Sequence, residues 1–99
     1  MRLFYDAIPL LPEAARLAAE WCFPGGGFDN AEFFGQHTKF STRISQDQQL
    51  LLFDPQTSGG LLFAVPASNA NQCEHDAEQL RIPLWRVGEV TSTGILEVV

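Results

Sequence analysis

The sequence predicts an α+β fold, an α/β sandwich in which helices pack on a mixed sheet. Two stretches with apolar residues at helical spacing, interleaved with several short apolar runs of strand character, carry that expectation. At 99 residues the chain has room for one domain with a single modest core.

Residues 2–6, RLFYD, are a short apolar run with aromatics and read as a strand. From Leu10 to Cys22 the spacing turns helical. Leu10, Ala14, Leu17, Ala18 and Trp21 share one side, and Glu13, Arg16 and Glu20 the other. Pro12 lies near the start, where its missing amide had no helical acceptor to lose. PGGG at 24–27 reads as the stop, and FDNAEFFG as one or two further turns capped by Asp29 or Asn30. TKFSTRI alternates weakly, as a strand would, and SQDQQLLLF reads as a short helix opened by Ser45. After Gly59 and Gly60, LLFAV is continuously apolar and predicts a buried strand closed by Pro66. A helix from Ala67 to about Leu80 follows, capped by Ser68, with Ala70, Cys73, Ala77 and Leu80 on one face. LWRVGEV and GILEVV then predict two strands joined as a hairpin around TSTG.

Twelve acids against six bases give a net charge of −6, and the bases are scattered. Nucleic acid demands clustered Lys and Arg, so it is not an expected partner. No apolar run approaches the roughly 20 residues needed to cross a bilayer, so no membrane partner is expected either. Acids and prolines interrupt MRLFYDAIPLLPEAARLAAE, which therefore does not read as a signal peptide. Cys22 and Cys73 stand outside any paired-cysteine motif, which predicts reduced thiols and a cytoplasmic protein.

Candidate chemistry is sparse. Cys73 and His75 are two apart on a predicted helix and point in different directions, while His37 and Cys22 lie in unrelated segments, so no metal site is expected. Ser58 precedes a strand, whereas a nucleophile elbow places its serine after one. Asp54 reads as a turn residue before Pro55, accepting hydrogen bonds from nearby amides. Phosphate-binding glycine loops run from strand into helix, but Gly59 and Gly60 precede a strand and no P-loop lysine accompanies them. PGGGFDN leads toward a helix and suits an anion better, yet glycines after a helix are more often a stop. No catalytic, cofactor-binding or metal residue is therefore expected. What stands out is a structural turn, Asp54, Pro55, Gln56, Thr57, Ser58, Gly59 and Gly60, and a second motif, Gly25, Gly26 and Asn30. Glycine's conformational freedom makes the Gly59–Gly60 pair a tight bend that feeds a central strand, with Gly60 conformationally demanding.

The combination DPQTSGGLLFAVP, a helix and then RVGEV resembles the closing segment of the selenophosphate synthetase family, the selenide, water dikinases. DAIPLLPEAARLA and PGGGFDNAEFFG are similar to preceding segments of the same family, in the same order. The family's usual form of the latter has a threonine where this chain has Gly27; Asn30 is kept. The resemblance implies an enzyme that converts selenide to selenophosphate with ATP, releasing AMP and phosphate, and the fold of the aminoimidazole ribonucleotide synthetase superfamily. It implies that ATP and Mg²⁺, the reactive Cys or selenocysteine and a nearby lysine all belong to an N-terminal domain that this chain lacks. Residues 1–99 are then a single partial C-terminal domain, inactive alone, binding no cofactor, with that N-terminal catalytic domain as partner. The alternative is a stand-alone module reusing the fold to bind protein or to self-associate as a homo-oligomer through exposed strand edges. Hydrogenase maturation and thiamine phosphate kinase proteins share the superfamily, but the DPQTSGG block points away from them.

Overall fold

A computed structural model describes residues 1–99. In chain order the elements are β1 (Arg2–Leu3), α1 (Ala14–Ala19), α2 (Gly25–Gly35), β2 (Thr38–Phe40), α3 (Gln46–Leu51), α4 (Ala70–Gln79), β3 (Gly88–Glu89) and β4 (Leu96–Val98). Single 3-10 turns sit at Tyr5–Ala7 and Ala67–Asn69. The fold is α+β, as its sequence predicts: one mixed four-stranded sheet in the order β2-β4-β1-β3, with helices packed against it.

The two faces of the sheet follow from the two-residue period of a strand. One row of paired positions, Lys39, Glu97, Arg2 and Glu89, crosses all four strands with alternating charge. Arg2 bridges both acids, to Glu89 at 3.2 Å and Glu97 at 3.1 Å. The next row, Phe40, Val98, Leu3 and Gly88, is apolar and points the other way. On that side Phe40 meets Phe53 edge-on, with ring centroids 5.9 Å apart. α1 packs on α3, and α2 packs on both α3 and β2. The buried apolar side chains are few: Ala18 of α1, Ile44, Leu50 of α3 and Val98 of β4, the last of them fully buried.

Local signals explain three of the helix limits. Ser45 opens α3 through a capping box, its amide donating to Gln48 Oε1 at 2.9 Å. The helix read over Leu10–Cys22 is regular only over Ala14–Ala19. Its end is a left-handed turn at Trp21 (φ 59°), where the Cys22 amide donates to the Leu17 carbonyl and the Trp21 amide to that of Ala18. Arg81 (φ 56°) ends α4 in the same way, with Ile82 bonded to Ala77 and Arg81 to Glu78.

Five readings of the sequence are corrected. PGGG does not stop a helix; its glycines form the first turn of α2, with Pro24 extended at the N-cap (φ −69°, ψ 148°). The stop is already made at Trp21, and what favours helix here is tertiary packing of Gly26 and Gly27 on residues 53–55. Asp29 and Asn30 accordingly lie inside α2 and cap nothing. Ser68 is no cap to α4; it sits in the preceding 3-10 turn and hydrogen-bonds Asn69 Oδ1. α4 nonetheless turns Ala70, Cys73 and Ala77 inward, with Leu80 exposed. β3 and β4 are not a hairpin, because β1 lies between them, antiparallel to β3 and parallel to β4. The strand Arg2–Leu3 offers both edges, and residues 91–95 wrap its start: the Met1 ammonium donates to Thr91 Oγ1 and to the Ile95 carbonyl, each at 2.9 Å. Finally, LLFAV is neither buried nor a strand; it is irregular and exposed because no neighbouring strand takes up its backbone hydrogen bonds.

Candidate functional site

The two motifs singled out in the sequence meet. α2 runs over the end of α3, and Gly26 lets it come close: a Cβ at Gly26 would lie 3.3 Å from Cγ of Pro55. Gly27, one residue on, is buried against the Phe53 carbonyl. One turn later, Asn30 Nδ2 donates to that same carbonyl at 2.9 Å, satisfying a half-buried acceptor left over at the end of α3. Asp54 and Pro55 then turn the chain, with the Gln56 amide donating to the Asp54 carbonyl at 2.9 Å.

This junction walls a shallow groove of about 330 Å³ whose polar lining is Asn30, His37, Thr38 and Asp54. Phe34 and Leu96 are among its apolar walls. Thr38 Oγ1 is already engaged, donating to the Phe34 carbonyl at 3.1 Å, as is the Asn30 amide. Neither thiol reaches the groove: Cys22 is exposed beyond α1, and Cys73 is half-buried on α4. No three His, Cys, Asp or Glu side chains cluster closely enough to hold a metal ion.

The structure therefore gathers Asp54, Pro55, Gly26 and Asn30, and leaves the rest apart. Gly25 faces open space, while Gln56, Thr57, Ser58, Gly59 and Gly60 run outward into solvent. Gly60 meets nothing within 4 Å and has no left-handed φ, so the expected conformational demand there is absent. His37, Thr38 and Phe53 were not singled out with these motifs. Phe53 acts through its carbonyl, which no side-chain pattern announces. His37 follows α2 by two residues, and only the fold of α2 onto α3 carries it to Asp54's side of the groove.

The remaining electrostatic features lie elsewhere. Burial pushes the Tyr5 phenol above its ordinary 10.0, and the charges of Asp47 and Asp6 push the same way. Arg16, on the exposed face of α1, is flanked by ion pairs to Glu13 and Glu20, three and four residues away.

No protein-family model matches the chain. Three curated relatives share a description, selenide, water dikinase. The protein of Shewanella sp. (strain W3-18-1) is 46% identical over 67 residues, 68% of this chain and 18% of the relative. That of Pelobacter propionicus is 42% identical over 72 residues, 73% of this chain and 21% of the relative. That of Pseudomonas putida is 41% identical over 88 residues, 89% of this chain and 25% of the relative. A match of 67 residues within 99 necessarily contains residues 33–67, so DPQTSGGLLFAVP lies inside each. The chain is thus a segment of the selenide, water dikinase family, spanning 18–25% of the length of these relatives.

Proposed function

We propose that this chain serves as a structural segment of the second, C-terminal domain of a selenide, water dikinase, and that ATP, Mg²⁺ and selenide are handled by an N-terminal catalytic domain outside it. The observation that carries this reading is the junction between the two motifs. Gly26 and Pro55 spend their shapes on each other, and Asn30 spends its amide on the Phe53 carbonyl. Residues engaged with one another in this way, a glycine against a proline ring and a side-chain amide on a carbonyl, fix the geometry of the junction. Free Cys22 and Cys73 favour the reducing cytoplasm as its location. No helix is long and apolar enough to cross a membrane.

The test is AMP formation from ATP and selenide, with the Pseudomonas putida relative assayed in parallel. The chain alone is expected to give no AMP above a protein-free control. Selenide-dependent turnover by these 99 residues would overturn the reading.

A further inference from the structure

α2 turns a mixed aromatic and acidic stripe to solvent. At about 100° per residue, Phe28, Asp29, Glu32 and Phe33 share one side of the helix. Gly27 and Asn30, which meet the Phe53 carbonyl, lie on the other. Phe28 is 49% exposed and Phe33 66%, and both carboxylates are exposed. The aromatic surface continues off the helix. Phe28 meets Phe23 edge-on with ring centroids 6.2 Å apart, and Phe23 meets Trp21 in the same way at 6.0 Å. Trp21 is itself 53% exposed.

The two carboxylates are not neutralised. Neither Asp29 nor Glu32 takes part in an ion pair. They are neighbours on the helix, three residues apart, and each lies four residues from an aromatic: Glu32 from Phe28, Asp29 from Phe33. No Lys or Arg occurs from Leu17 to Thr38, and Arg16 just before is already held by Glu13 and Glu20. Like charges side by side on a helix disfavour it, and aromatic faces present the negative part of their quadrupole. Both features attract a cation that also carries apolar surface.

We propose that this face of α2, with Trp21 and Phe23 beside it, docks a basic segment of another protein through arginine side chains. A guanidinium offers a fork of donors to carboxylates and stacks flat on an aromatic ring, so one side chain uses both parts of the stripe. An apolar partner would bury Asp29 and Glu32 without counter-charges, at a heavy desolvation cost. Phosphate-bearing partners are repelled by the same carboxylates. A second copy of this chain fits less well. It would set acids against acids at a net charge of −6 each. Four of its six bases, Arg2, Arg16, Arg43 and Arg86, are already in ion pairs. The stripe faces away from the junction with residues 53–55, so this interaction goes beyond the structural reading and stands independently of it.

The test is a titration of the whole chain with a short peptide of alternating glycine and arginine, followed by calorimetry and amide NMR shifts at low salt. Saturable binding is expected, with the shifts centred on α2. A citrulline version of the peptide, uncharged but of nearly the same shape, is expected to bind at least about tenfold more weakly. Asp29→Asn combined with Glu32→Gln is expected to weaken the arginine peptide about tenfold. Phe33→Ala, which keeps every charge, is expected to weaken it about threefold. Asp76→Asn combined with Glu78→Gln removes the same charge from α4 and is expected to leave affinity within about twofold. Four results would each overturn the proposal: no saturable binding, equal binding of the citrulline peptide, equal losses in the two charge variants, or shifts centred away from α2. The citrulline comparison uses the unaltered chain, so it decides even where a variant unfolds. AMP formation by the chain alone would end the structural reading and leave these results untouched.

Discussion

Among the glycines, Gly88 is the one where an added methyl group would meet the closest contact. β3 meets β1 through only two residue pairs, Arg2 with Glu89 and Leu3 with Gly88, extended by the Phe4 amide donating to the Val87 carbonyl at 2.8 Å. A Cβ at residue 88 would lie 2.1 Å from the Arg2 carbonyl oxygen and 3.0 Å from the Leu3 Cα. Both are backbone, so no side chain can rotate away. Restoring ordinary contact means opening the strands by more than about 1 Å, which forfeits overpacking energy of about 1–3 kcal/mol and strains hydrogen bonds worth about 1 kcal/mol each. We expect Gly88→Ala to cost about 2–4 kcal/mol. A chain of this size has a margin of about 5–15 kcal/mol, and about 4–8 °C of melting temperature per kcal/mol. Thermal unfolding followed by far-UV circular dichroism is therefore expected to show a midpoint lower by about 10 °C or more. Gly60→Val serves as the counterpart, since nothing lies within 4 Å of that residue and its backbone is not left-handed. It is expected to leave the midpoint unchanged. A Gly88→Ala variant melting within about 2 °C of the parent would refute the close approach of β1 and β3.

Other perturbations probe the junction, a helix end and a half-buried phenol. Asn30→Ala removes the donor to the Phe53 carbonyl and is expected to lower stability by about 1–2 kcal/mol in urea unfolding; an unchanged midpoint would mean the bond contributes nothing. Arg81→Gly relieves the left-handed backbone at the end of α4 and is expected to raise stability by about 0.5–1 kcal/mol, a gain that a lowered melting temperature would contradict. The Tyr5 phenol titrates above 10.0 in the folded chain because burial and then Asp47 and Asp6 disfavour the phenolate. Its contribution is whole below the unfolded value and is lost as pH rises from about 10 through the folded one. Tyr5→Phe is expected to flatten the alkaline fall in melting temperature; an identical slope in both proteins would remove Tyr5 as its source.

Much of this fold is legible where a local rule acts alone. Ser45 followed by Gln48 announces a helix start, and Ala70, Cys73 and Ala77 mark an inward helix face at the right spacing. Legibility fails where a distant partner decides. PGGG carries the composition of a stop, yet it is helical because Pro55 and Phe53 reward the missing side chains from far along the chain. Two strands around TSTG look like a hairpin until β1, near the other end of the sequence, enters between them. LLFAV has the composition of a buried strand, yet it makes no backbone hydrogen bond and stays outside the sheet. The site follows the same division. Asp54, Pro55, Gly26 and Asn30 stand out by motif, whereas the groove they wall with His37 and Thr38 exists only once α2 lies on α3.

Calorimetric titration of ATP with Mg²⁺ into the chain by itself addresses most directly whether these residues support or react. A supporting role gives no saturable heat at millimolar nucleotide. Saturable binding that disappears in Asp54→Asn, a residue of the groove wall, would contradict it.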